Sequence, residues 1–100
     1  MHEKIKELIE YPKKGILSKV IIKNDKFDIT LFSMAAETEI SEHTSTKPGF
    51  VYVIEGDGIF NLEGKDIKMS AGVFIQMKEN AVHSLKANGD TSFLLVLANK

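Results

Sequence analysis

The sequence predicts an all-β domain, and three observations support this. Short apolar runs recur along most of the chain, with turn-forming residues between them. These runs are rich in β-branched and aromatic residues, which suit strands, and Val51 to Ile54 is the clearest of them. A helical spacing of apolar residues occurs only between Glu3 and Glu10. Many short strands at regular spacing favour a barrel or a sandwich.

A short amphipathic helix is expected at the N-terminus. Ile5, Leu8 and Ile9 recur at helical spacing, with lysine and glutamate between them. The helix should stop at Tyr11, because a residue that precedes a proline, here Pro12, is disfavoured in the helical region.

The first two predicted strands run from Gly15 to Lys23 and from Phe27 to Met34, with the turn signal Asn24-Asp25 between them. The second of these strands is apolar on both faces, as is the last predicted strand, Phe93 to Leu97. Strands of this kind suit an inner sheet or an oligomer interface, and we therefore expect a homodimer.

The remaining predicted strands are Val51 to Ile54, Gly58 to Leu62, Ile67 to Met69, Val73 to Met77 and Ser84 to Ala87. The segment from Ala35 to Glu42 carries three glutamates and is assigned no strand. Asn88-Gly89-Asp90 is the strongest hairpin signal, because Asn-Gly supplies two left-handed positions. We expect one domain, with the helix within residues 1–12 and a β-barrel formed by residues 15–98.

Composition excludes several classes of protein. The chain has 100 residues and a formal net charge of −1, so it offers no basic field for nucleic acid or for an anionic membrane. It has no cysteine, which excludes disulfides and thiolate metal sites. No apolar run approaches the length of a membrane span, and the N-terminus lacks the apolar region of a signal peptide. A cytoplasmic location is therefore the expectation.

The segment from His43 to His83 resembles the cupin family. The family's first motif is Gly, five residues, His-x-His, three or four residues, Glu, six residues and Gly; His43 fits its first histidine and Gly56 its last glycine. In the second motif, Gly72 and His83 stand at the required spacing. The resemblance implies a double-stranded β-helix, also called a jelly-roll barrel.

The sequence departs from both motifs. Ser45 stands in place of the second histidine and Gly49 in place of the glutamate, so two of the family's four metal-holding side chains are absent. Lys78, Asn80 and Ala87 replace the proline, glycine and asparagine of the second motif. Asn80 is tolerable there, since asparagine accepts left-handed backbone geometry. The resemblance thus implies only a partial metal site, in a cavity that should be larger and less negative at position 49.

His43 and His83 are the candidate metal ligands. Imidazole suits zinc, nickel, copper, iron or manganese to differing degrees, and water, Ser45 or a nearby glutamate would complete the shell. The alternative is a metal-free pocket in which the two histidines form hydrogen bonds. In either case we expect the imidazoles within roughly 4 Å of each other, at one open end of the barrel.

Three further residues are candidate ligand contacts. Ser45 would share a face with His43 if both lay on one strand. Gln76 is polar within an apolar run; it needs a partner if it faces inward, and exposure at an edge is equally open. Tyr52 suits a ligand contact or the core.

The leading function is small-molecule binding in the barrel pocket with a partial histidine-based metal site. No residue is assigned a catalytic role. One alternative is a metal-dependent enzyme, such as an oxygenase or isomerase of a small polar substrate, and another is a regulatory or binding subunit. The expected partners are a small molecule and a second copy of the chain, with neither nucleic acid nor membrane.

Overall fold

The computed structural model describes residues 1–99, which form one short helix and nine strands. The helix is α1 (Ile5–Leu8), and the strands are β1 (Ile16–Lys23), β2 (Phe27–Met34), β3 (Glu39–His43), β4 (Gly49–Glu55), β5 (Gly58–Leu62), β6 (Lys65–Met69), β7 (Phe74–Met77), β8 (His83–Ala87) and β9 (Thr91–Ala98). They form a five-stranded sheet in the order β1-β2-β9-β4-β7 and a four-stranded sheet in the order β3-β8-β5-β6, with antiparallel pairing in both. The predicted all-β jelly roll is confirmed.

The core lies between the two sheets and follows the two-residue period of the strands. Val51 and Val53 of β4 are buried, whereas Tyr52 between them is exposed. The neighbouring strand β7 shows the same alternation, with Ile75 buried and Gln76 exposed. The buried cluster draws on both sheets and comprises Met34, Val51, Val53, Phe60, Met69, Ile75, Met77, Leu85, Ala87 and Phe93.

Strand β3 is absent from the sequence prediction and is a correction to it. Ile40 is its one apolar residue, so no hydrophobic alternation marks it. Pairing with β8 holds it in place, since Ile40 lies opposite Leu85 and His43 opposite His83. Because β3 is at the edge of its sheet, exposed glutamates are well suited to it.

The expected hairpin at Asn88-Gly89-Asp90 is also corrected. Strands β8 and β9 belong to different sheets, so this turn crosses from one sheet to the other. Neither Asn88 nor Gly89 adopts a positive φ, and both of their N–H groups donate to the carbonyl of Asp57, at 2.8 and 2.9 Å. A long-range backbone contact thus replaces the local turn that the sequence favours. Asn80 does take the left-handed geometry expected of it, with a φ of 62°.

The N-terminal helix is shorter than residues 1–12. It ends at Leu8, because Ile9 already has extended geometry, and no side chain caps its start at Lys4. A single turn gains little stability of its own, since helix nucleation is unfavourable.

Beyond the helix, Tyr11 packs against the outer face of the larger sheet. Its hydroxyl donates to Glu55 Oε2 at 2.8 Å and accepts from Ser92 Oγ at 2.7 Å. Ser92 is fully buried and lies 3.5 Å from Ser33 through their hydroxyl oxygens. We call Tyr11, Glu55, Ser92 and Ser33 the Tyr11 latch. Burial raises the pKa of Tyr11 to about 12, with the Glu55 carboxylate adding to the rise and the Ser92 hydrogen bond opposing it.

Candidate functional site

The register of β3 and β8 brings His43 and His83 together. They are direct cross-strand partners, because β3 ends at His43 where β8 begins at His83. Their ring centroids are 4.0 Å apart and the rings meet edge to face at 62°. The two candidate metal ligands predicted from the sequence are therefore next to each other in the barrel.

Both imidazoles are oriented in the same way by the backbone. The Nδ1 of His43 lies 2.9 Å from the carbonyl oxygen of Ser41, and the Nδ1 of His83 lies 3.0 Å from that of Ala81. A carbonyl oxygen can only accept a hydrogen bond, so Nδ1 carries the proton in each ring. In the neutral form, Nε2 is then left with a lone pair that can accept a hydrogen bond or bind a metal.

The two histidines differ in environment. His83 is only 7% exposed and its ring stacks on Phe60, with the centroids 5.6 Å apart and the planes 4° from parallel. Burial lowers the pKa of His83 below its ordinary value of 6.5; a charge on His43 acts in the same direction, and the hydrogen bond to Ala81 opposes it. His83 is therefore a neutral imidazole near pH 7, whereas His43 is exposed to solvent.

The histidine pair borders a cavity of about 150 Å³ inside the barrel. The rest of its wall is apolar and comes from both sheets: Ile16, Phe32, Ile40, Val51, Phe60, Met77, Leu85, Phe93 and Leu95. An apolar protein cavity of this volume can stay dry and accept a benzene molecule. Within residues 1–99, no fully buried side-chain nitrogen or oxygen lacks a partner. The Nε2 of His83 has no hydrogen-bond partner among these residues, so it is not fully buried and keeps some access to solvent.

A larger depression of about 690 Å³ lies over the outer face of the smaller sheet. Charged surface residues, among them Glu39, Asp66 and Lys86, line it. Asp66 already accepts a hydrogen bond from Asn61 at 2.8 Å. The smaller cavity is the better candidate site, because it combines an apolar interior with convergent polar atoms.

Ser45, Gln76 and Tyr52 do not line the histidine cavity. Strand β3 ends before Ser45, whose hydroxyl instead accepts the backbone N–H of Lys47 at 3.2 Å. Gln76 and Tyr52 are exposed on the opposite face of their strands from the core. The structure thus corrects the expected placement of Ser45 on one strand with His43, and a ligand contact by any of the three stays a prediction.

Gly49 also differs from expectation. A Cβ at this position would lie 2.0 Å from the backbone oxygen of Val96, so β9 approaches too closely for any side chain. Gly49 does not line the cavity, and the expected enlargement there is wrong. The backbone of β9 fills the space instead.

The residues present do not fit the metal site that the fold family implies. Among the residues that the structure describes, no group of three or more His, Cys, Asp or Glu side chains could hold an ion. The two histidines supply two nitrogen ligands, whereas metal centres usually have three or four protein ligands. No residue of the apolar wall supplies a carboxylate.

Sequence reasoning missed most of the cavity wall. Phe32, Phe60, Phe93 and Leu95 carry the same alternation signal as every other inward-facing residue. That signal marks burial but does not separate a cavity wall from a filled core.

The profile of a family described as cupin domain matches residues 30–98 of this sequence. No curated protein matches the chain.

Several solved structures share the fold at low sequence identity. A conserved protein of unknown function from Streptococcus pyogenes is 21% identical, with a TM-score of 0.88 over 100% of this chain and 88% of its own. An RmlC-like cupin protein from Desulfovibrio desulfuricans is 20% identical, with a TM-score of 0.87 over 98% of this chain and 95% of its own. A variant of salicylate 1,2-dioxygenase from Pseudoaminobacter salicylatoxidans is 16% identical, with a TM-score of 0.78 over 83% of this chain and 26% of its own. Similarity at this level shows the fold and no more.

Proposed function

This chain belongs to the cupin domain family, and from that premise we propose that it binds a small molecule inside the barrel. The observation that carries the proposal is the cavity of about 150 Å³, whose wall is apolar except for His43 and His83. The apolar part of the ligand would fill the cavity, and a polar group on the ligand would form a hydrogen bond with the Nε2 of His43 or His83. Such a combination is typical of ligand pockets.

The expected affinity is modest because the cavity is small. Burying about 150 Å² of apolar ligand surface at about 25 cal/mol per Å² gives about 4 kcal/mol. That free energy alone would correspond to a dissociation constant of about 1 mM, and the loss of translational and rotational freedom on binding raises this constant.

Titration with benzene, followed by amide chemical shifts of metal-free protein, tests this proposal. Shifts should concentrate on the strands around the cavity. Leu95→Phe should abolish them by filling the cavity, whereas Leu94→Phe, on the opposite face of β9, should leave them unchanged. Equal binding by both variants, or shifts confined to the outer surface, would contradict the proposal.

A second candidate function is weak binding of a transition metal by the histidine pair. Metal-binding histidines usually donate their other ring N–H to a carbonyl or a carboxylate, as His43 and His83 both do. Nitrogen-preferring ions such as zinc, nickel or copper suit the pair better than iron or manganese, with water completing the shell. A metal-dependent enzyme, such as an oxygenase or isomerase, and a regulatory subunit are further alternatives that depend on more than these two residues.

Calorimetric titration with zinc tests this second function. Binding should be weaker than that of a complete site, and it should disappear in the variant with both His43→Ala and His83→Ala. His2→Ala serves as the control, since this histidine lies at the exposed N-terminus. Undiminished binding by the double variant would exclude the pair as ligands.

We also propose that the chain forms a homodimer through the outer face of the larger sheet. Phe74 is 59% exposed and Tyr52 is 40% exposed, and Phe50 packs on Phe74 with the ring centroids 4.9 Å apart. An exposed aromatic patch of this kind is typical of a protein interface.

Among residues 1–99, no helix has the length and apolar character needed to cross a membrane. A cytoplasmic location stays a prediction.

A further inference from the structure

The walls of the histidine cavity narrow the choice of ligand, provided that the proposed ligand binding is correct. We infer that the ligand is an uncharged aromatic ring carrying one hydrogen-bond donor, of the phenol type. Three properties of the wall support this inference. It has aromatic surfaces, it has no aspartate, glutamate, lysine or arginine among residues 1–99, and its polar atoms act as hydrogen-bond acceptors.

The wall is built from flat rings. Phe32 stacks on Phe93, with centroids 5.3 Å apart and planes at 24°, and Phe60 stacks on the ring of His83. All four side chains line the cavity. Aromatic surfaces favour a flat ligand ring, which can stack against them or meet them edge to face. The volume of about 150 Å³ is that of a cavity known to accept one benzene ring.

Among residues 1–99, no aspartate, glutamate, lysine or arginine lines the cavity. An ionised ligand group placed there would lose its hydration without gaining a charged partner, and this is costly. A benzoate-type carboxylate is therefore disfavoured, although it has the same ring.

When the two imidazoles are neutral, the polar side-chain atoms of the wall accept hydrogen bonds and do not donate them. The Nδ1–H groups of His43 and His83 are already used by the carbonyls of Ser41 and Ala81. Each Nε2 is therefore an acceptor, and the thioether of Met77 is at most a weak one. A hydroxyl on the ligand would satisfy Nε2, whereas an ether oxygen would find no donor.

Four ligands that share one benzene ring and differ in its substituent separate these properties: phenol, benzene, anisole and benzoate. Dissociation constants would be measured by amide chemical shifts on metal-free protein. One hydrogen bond should make phenol bind about 3- to 10-fold more tightly than benzene or anisole. Benzoate should not bind measurably.

His83→Phe is the matching variant, because it keeps a flat ring against Phe60 and removes the acceptor. It should reduce the preference for phenol over benzene and leave benzene binding in place. If this variant fails to fold, the side-chain nitrogen resonances of the unmodified protein provide the test: phenol should shift His83 Nε2, while benzene should not.

The outcomes are distinguishable. Equal affinity for phenol, benzene and anisole would overturn the ligand class but leave cavity binding intact. Tighter binding of benzoate than of phenol would overturn it as well, since it would show a cationic or donating wall. Failure of all four ligands to bind would overturn the proposed function together with this inference.

Discussion

The histidine cavity and the Tyr11 latch each contain a buried polar side chain, His83 and Ser92, but the hydrogen-bonding groups around these residues are used differently. In the latch, the Tyr11 hydroxyl donates to Glu55 and accepts from Ser92, so its hydrogen-bonding capacity is used by the protein. In the histidine pair, the backbone uses only one nitrogen of each imidazole, and the other has no hydrogen-bond partner within the described residues.

This difference separates a structural role from a binding role. Buried polar groups in proteins are almost always paired, because an unpaired one costs free energy. A latch whose members satisfy one another has nothing left for a ligand. The Nε2 atoms beside the apolar cavity are instead available to accept a hydrogen bond from water or from a ligand, and the following predictions test this contrast.

The largest effect is expected at Gly49, where the backbones of β4 and β9 approach closely. Gly49→Ala should destabilise the fold by about 3 kcal/mol or more, because its Cβ would meet the backbone oxygen of Val96. Gly89→Ala is the matched control, since its nearest contact would be 3.8 Å away. Both are measured by denaturant unfolding. Similar stability of the two variants would show that β9 can move away, and that a carboxylate could be restored at position 49.

Breaking the latch should have a smaller effect. Tyr11→Phe removes a hydroxyl that serves both Glu55 and the buried Ser92, and it should cost about 1–2 kcal/mol of unfolding free energy. Tyr52→Phe removes an exposed hydroxyl and should be nearly neutral. The latch would lose its structural role if both changes cost the same.

High pH should weaken the latch in a specific window. The folded pKa of Tyr11, about 12, lies above its unfolded value of 10.0, so its contribution is fully present below pH 10 and is lost as the pH rises toward 12. Unfolding curves between pH 9 and 12 should show a decline that is shallower in Tyr11→Phe. An identical decline in the variant would place the effect elsewhere.

Low pH should reduce the stability of the fold through protonation of His83. Its folded pKa is lowered below 6.5, so the unfolded state binds more protons, and stability falls as the pH drops from 6.5 through the folded pKa. His83→Gln should flatten this slope, while His2→Ala at the N-terminus should retain it. A slope that persists in His83→Gln would assign the titration to another group.

The smallest effect on stability is expected for a substitution in the exposed aromatic patch formed by Phe50, Tyr52 and Phe74. Phe74→Glu places a charge on an exposed site, so the fold should be retained while the homodimer dissociates. Light scattering should change from twice the 11.1 kDa chain mass to a single chain mass. Val82→Glu, also at an exposed apolar residue, is the control. A monomeric parent protein would contradict the proposed dimer.

The sequence alone determined several of the strands and the two histidines. The predicted bounds of Phe27–Met34 and Gly58–Leu62 are those of the structure, because runs rich in β-branched and aromatic residues mark strands. His43 and His83 stood out through their spacing from glycines, and the register of β3 and β8 brings them together.

Tertiary structure alone decided what depends on partners distant along the chain. Strand β3 exists through its pairing with β8, and the turn at Asn88 crosses between sheets because two N–H groups bind the carbonyl of Asp57. The latch joins Tyr11 to Ser92, 81 residues away. The close approach of the Val96 backbone to Gly49 likewise has no sign in the residues next to Gly49 in the sequence. The physical reason is that periodicity encodes whether a residue is buried, whereas the identity of its neighbours is set by how the sheets pair and pack.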